Sequence, residues 1–165
     1  EKTCIEDYKG FLKVINNYTD QGYKIAIDDI GAGYSGLRTL AEMHPQYIKI
    51  DMALVRDIDK KTINQALIKA LRDFSYSTNM HLIAEGIETV DELNTLIDLD
   101  IEYGQGYLFQ KPAEELMELD EDIQASIRQR HERKNRNSFY TTSTIPISYL
   151  AITNKYACNR NKWML

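Results

Sequence analysis

Four times along this chain, a stretch with helically spaced apolar residues gives way to a short segment ending at a charged or amide side chain. From Ile5, the apolar positions Tyr8, Phe11, Leu12, Ile15 and Tyr18 recur at helical spacing until Gly22, where the Ile-rich strand Lys24–Asp28 follows. The unit recurs as a helix near 36–42 before the strand Tyr47–Ile50, and as a helix over 62–76 before the strand Leu82–Ala84. A third helix then leads to Tyr103 and Gly104, and it starts at a capping box, Thr89-Val-Asp-Glu92, with Leu93, Leu96 and Ile97 on its buried face. Strands that alternate with helices predict a parallel sheet built of βα units.

Length restricts how much of such a fold is present. A TIM barrel needs roughly 250 residues and rarely runs below ~200, whereas this chain has 165 and begins with Glu1 rather than Met. The expectation is an α/β chain forming a partial TIM-like barrel of about four βα units over residues 1–115, taken from a longer reading frame. A half barrel would leave an open sheet edge and one exposed core face, which favours pairing with another copy or with the other half.

Residues 116–165 read as a different region, an acidic-to-basic helix followed by a linker-like tail. Residues 123–165 hold eight Lys/Arg and one acid, while the preceding 122 hold twelve Lys/Arg and 24 acids. A helix running from acidic Glu114–Asp122 to basic Arg128–Arg136 complements its own dipole, so it reads as a solvated face. The acidic body and the lack of a recognisable binding fold make nucleic-acid or anionic-membrane binding by the tail the least favoured reading. No apolar run approaches the ~20 residues of a membrane-spanning helix, no signal peptide is visible, and Cys4 and Cys158 read as reduced thiols. A cytoplasmic setting is expected.

In parallel βα folds, function collects at the carboxyl ends of the strands. Here those ends carry Asp28 and Asp29, then Lys49, then Glu85 followed by Glu88, then Gln105. Such an oxygen-rich set suits Mg²⁺ or Mn²⁺ better than zinc, and two such ions are a known arrangement for phosphodiester hydrolysis. Each residue also has an ordinary structural role open to it: Asp28 and Asp29 as turn caps, Lys49 and Glu85 as a salt bridge, Gln105 as a buried amide. From the residues alone, only a metal- or phosphate-binding βα protein follows. His44, His81 and His131 are too scattered for a site, and Gly31-Ala-Gly33 is no Walker loop because no Gly-Lys-Ser/Thr follows.

Four segments in this order, Asp28-Asp-Ile-Gly-Ala-Gly-Tyr-Ser35, Tyr47-Ile-Lys-Ile-Asp51, Ala84-Glu-Gly-Ile-Glu88 and Gln105-Gly-Tyr-Leu-Phe109, resemble the EAL-domain family over roughly the first 115 residues. The resemblance implies a TIM-like barrel that hydrolyses cyclic di-GMP to linear pGpG with Mg²⁺ or Mn²⁺. It implies that Asp28 bridges the metals, Asp29 binds the second and Lys49 positions the attacking water. Glu85 would act on metal or water, Gln105 would join the metal set, and Glu88 would stabilise the loop after Asp29. Gly31, Gly33, Tyr34 and Ser35 lie in the loop that couples substrate, metal and dimer contacts, where Ile30 and Ala32 replace the commoner Phe and Thr. The family's Glu-Ala-Leu signature, an asparagine and a further glutamate belong upstream of Glu1, so this chain is expected to be inert alone. A degenerate, non-catalytic module that binds cyclic di-GMP or a protein partner is the alternative.

Overall fold

The structure, a computed structural model, describes residues 8–32, 36–113, 118–137 and 163–164. Helix α1 (Tyr8–Asp20) leads to strand β1 (Lys24–Ile30), α2 (Gly36–Met43) to β2 (Tyr47–Ile50), and the short α3 (Met52–Val55) with α4 (Thr62–Thr78) to β3 (His81–Ala84). Helix α5 (Val90–Asp98), strand β4 (Tyr103–Gly104), helix α6 (Glu121–Asn137) and strand β5 (Trp163–Met164) complete the order. The sheet runs β4-β3-β2-β1-β5, and each adjacent pair is parallel. It is therefore a partial α/β barrel, as the alternation predicts.

Strand β2 shows how the sheet is partitioned. Ile48 and Ile50 are fully buried, whereas Tyr47 and Lys49, one residue out of phase, are half-buried. The buried face joins Leu82 and Ala84 of β3 and packs under Leu40, Ile68, Leu93, Leu96 and Ile97 from the helices. Each such buried Leu or Ile stabilises the fold by about 1.5–3 kcal/mol. The opposite face carries Lys49 toward the strand ends and a cluster of rings at the strand starts. Tyr47, His81 and Tyr103 have centroids 5.4–6.0 Å apart, and His81 Nδ1 lies 2.8 Å from Glu102. His81 thus belongs to the floor of the sheet.

Three features depart from the sequence reading. Strand β1 continues two residues past Asp28, to Ile30. The last long helix begins at Glu121, where the Asp120 carboxylate accepts from the backbone N–H of Asp122 (2.9 Å) and of Ile123 (3.3 Å). That helix is also more than a solvated face: Ile127 is buried, Arg130 forks onto Asp98, and Lys134 reaches the carbonyls of Ile97 and Asp98 at the end of α5. The third is β5, which lies in the segment read as linker-like and pairs Trp163 with Lys24 and Met164 with Ile25 on the outer edge of β1. Cys4 and Cys158 lie outside the described residues. No helix among the described residues is long and apolar enough to cross a membrane.

Candidate metal centre at the strand ends

Consecutive residues on a strand point to opposite faces, so Asp28 and Asp29 could not share a site on a regular β1. The register resolves this. Ile27 pairs with Ile48 and Ile30 with Ile50, so β1 advances three residues while β2 advances two. This is a β-bulge, and Asp29 absorbs it in the left-handed region at φ 58°. Asp is among the few non-glycine residues that tolerate that conformation. One oxygen each from Asp28, Asp29 and Glu85 then falls within 4.8 Å of the others.

Lys49 supplies the positive charge. Its Nζ lies 2.9 Å from Asp28 Oδ1 and 2.6 Å from Glu85 Oε1, and the Lys49 and Glu85 side chains are each 15% exposed. Burial alone would drive both carboxyls toward protonation and Lys49 toward neutrality. At Asp28 burial pushes the carboxyl up, but the hydrogen bond and charge of Lys49, with help from a hydrogen bond with Glu85 and less from the Asp29 N–H, outweigh it and hold the carboxyl below its usual range. At Glu85 burial, reinforced by the Asp28 charge, outweighs Lys49, and the carboxyl is pushed up. The two hydrogen-bonded carboxylates overcome burial at Lys49 and raise its pKa. Two carboxyl groups sharing one ammonium are thereby shifted in opposite directions, Asp28 down and Glu85 up.

Gln105 reaches this cluster through Glu85, whose Oε1 accepts from its amide nitrogen. The connection is fixed by backbone: Gln105 N–H donates to Ala84 (2.8 Å), and Ile87 N–H donates to the Gln105 carbonyl (3.1 Å). The glycines beside it permit this close approach. A Cβ on Gly106 would lie 2.1 Å from the Ile87 carbonyl oxygen, and one on Gly86 would lie 2.5 Å from Met52 Cβ, with Gly86 itself at φ 71°.

Glu88 is not part of the three-carboxylate cluster and forms a forked pair with Arg56, Nη2 to Oε1 being 2.6 Å. Its expected role on the loop after Asp29 falls on a loop in which Gly33, Tyr34 and Ser35 lie outside the described residues. Gly31 is described, at φ 113°, packed against the tip of Leu54. Asp51, at the end of β2, caps α3 by accepting from Ala53 N–H at 2.7 Å. Neither Arg56 nor the bulge is expected from the sequence. Nothing in local composition marks Arg56, and the adjacent pair Asp28-Asp29 was the one signal available for the bulge.

All three convergent donors are carboxylate oxygens, which is the chemistry that hard divalent cations select. Fold and site together define a parallel βα barrel segment with three carboxylate donors gathered at the carboxyl rim. The sequence profile of the EAL domain matches residues 1–112, and the chain belongs to that family. It is 38% identical over 112 residues to the cyclic di-GMP phosphodiesterase PdeR of Escherichia coli, covering 68% of this chain and 17% of that protein. It is 32% identical over 105 residues to the cyclic di-GMP phosphodiesterase PdeA of Borreliella burgdorferi, covering 61% and 16%. The chain thus spans about a sixth of the length of these two relatives.

Among solved structures, it is similar to a standalone EAL protein of Vibrio cholerae in its cyclic di-GMP-bound form. The TM-score is 0.70 at 33% identity, covering 75% of this chain and 53% of that one. It is similar also to a manganese and cyclic di-GMP complex of Klebsiella pneumoniae BlrP1, with a TM-score of 0.60 at 39% identity, covering 64% and 27%.

Proposed function

We propose that this chain supplies one wall of a cyclic di-GMP phosphodiesterase site that uses Mg²⁺ or Mn²⁺ and yields linear pGpG, with strands outside the described sheet completing the barrel. The observation that carries this reading is the convergence of Asp28, Asp29 and Glu85 oxygens within 4.8 Å beside Lys49. A bound divalent pair would activate water and neutralise charge on the phosphodiester. Asp28, Asp29 and Glu85 would hold these ions on this wall, and Gln105 would join them or hold Glu85 in place. Lys49, released from one carboxylate, would orient the attacking water or offset phosphate charge. Glu85, 2.6 Å from Lys49, would act on the metal or on that water.

Gly31, Gly33, Tyr34 and Ser35 are assigned to substrate and loop contacts, and Glu88, through Arg56, to loop stabilisation. One wall leaves the site short of ligands, so the chain is expected to be inert alone and to act joined to the other half of a barrel or within a homodimer. A nucleotide second messenger as substrate places the site in the cytoplasm.

Binding without hydrolysis is the second reading, favoured by the way Lys49 already balances Asp28 and Glu85. The test is hydrolysis of cyclic di-GMP with Mn²⁺ by this chain and by a form extended upstream through the remaining strands. Turnover only in the extended form supports the proposal. Nucleotide binding by the extended form without turnover would replace it with the second reading.

A further inference from the structure

Glu92 is 2% exposed, and its two carboxylate oxygens serve two different loops. Oε2 accepts from the backbone N–H of Glu88 (2.9 Å) and of Thr89 (3.1 Å), at the end of the loop that carries Glu85. Oε1 accepts from the N–H of Asp57 (2.9 Å), 35 residues earlier, in the turn after α3. A helix cap needs only the first oxygen, and the second is spent on a remote turn. Asp57 stands there in the left-handed region at φ 55°, which Asp tolerates better than most residues with a Cβ, and its N–H is satisfied by Glu92 across the two segments. Its neighbour Arg56 reaches back to fork onto Glu88. The contacts therefore close a ring, from Glu92 to Asp57, along the backbone to Arg56, across to Glu88 and back to Glu92. Gly86, close against Met52, is a further contact between the α3 region and the loop after β3.

We propose that Glu92 is a positioning residue for the metal centre: its buried carboxylate clamps the turn after α3 to the loop that holds Glu85. The metal part of this inference rests on the function proposed above; the clamp itself does not. Glu92→Gln keeps the shape but turns an amide group toward at least one donor N–H. Thr89→Ala removes the other half of the capping box, in which Thr89 accepts from Glu92 N–H at 3.2 Å, and leaves the Asp57 bond in place. Comparing the two variants separates capping from clamping. Amide hydrogen exchange and Mn²⁺ titration are measured on both and on the unaltered chain.

Glu92→Gln is expected to speed exchange at Asp57 by about tenfold and to weaken Mn²⁺ binding by about tenfold. Thr89→Ala is expected to speed exchange only in the first turn of α5, with both other readings unchanged. The clamp is overturned if Glu92→Gln leaves Asp57 exchange unaltered, or if Thr89→Ala alters it equally. Positioning of the metal centre is overturned if Glu92→Gln speeds Asp57 exchange without weakening Mn²⁺ binding. A chain that binds no Mn²⁺ at all overturns the metal reading alone, and the exchange comparison still decides the clamp.

Discussion

Replacing Lys49 by Met, with divalent ions chelated, should produce a stability loss whose size depends on pH. The substitution removes an ammonium 2.6 Å from Glu85 and 2.9 Å from Asp28. A hydrogen bond to a charged group contributes about 1.5–3 kcal/mol when shielded from water. That range applies to Glu85, whereas the Asp28 side chain is 37% exposed and its share is strongly discounted. The expected loss near neutral pH is therefore about 2 kcal/mol.

Without Lys49, burial and the Asp28 charge act on Glu85 unopposed, and its already raised carboxyl rises further above 4.5. A carboxyl whose pKa is higher in the folded state gives stability that is fully present below its unfolded pKa and is lost as pH rises through the folded value. The deficit of the variant should thus be smallest at acid pH, below the unfolded carboxyl value, and should grow as pH rises toward neutrality. Each added unit of rise is worth about 1.4 kcal/mol. Asp28 acts in the same sense: its lowered pKa gives the unaltered chain stability above the unfolded value of about 3.9 that is lost as pH falls through the folded one. Urea unfolding followed by circular dichroism across this range measures the effect. A deficit constant with pH, or below about 0.5 kcal/mol throughout, would refute the shared-ammonium account.

Gly106→Ala places a Cβ against the Ile87 backbone and should cost at least about 3 kcal/mol or prevent folding, measured by thermal unfolding. Gly22→Ala, at φ 85° with nothing within 4 Å, should lose only about 1–2 kcal/mol from backbone conformation in the same assay. Ile50→Ala removes a fully buried side chain beneath the site and should cost about 2–5 kcal/mol in urea unfolding. In a form extended upstream, Asp28→Asn should abolish cyclic di-GMP turnover while leaving the circular dichroism spectrum unchanged, and retained turnover would remove Asp28 from the metal centre.

Much of this architecture is legible in the sequence because local signals agree with one another. Thr89 and Glu92 announce the start of α5, and both reciprocal cap bonds are present. Gly22 stands at positive φ where α1 is expected to stop. The site residues are legible for a different reason: polar groups at the ends of apolar strands have few other places to go in a parallel sheet. What escapes the sequence is geometry that depends on partners distant along the chain. The bulge at Asp28-Asp29 is a mismatch between β1 and β2, so nothing within β1 alone dictates it. The pairing of Arg56 with Glu88 and the second bond of Glu92 cross 32 and 35 residues. Pairing of β5 with β1 likewise joins segments that no local period connects.

Mn²⁺ binding by this chain, followed by loss of the free-ion electron paramagnetic resonance signal and compared with Asp28→Asn, tests the three-carboxylate centre most directly. The centre predicts saturable binding that the Asn substitution weakens by at least about tenfold. Equal binding by both forms would contradict it.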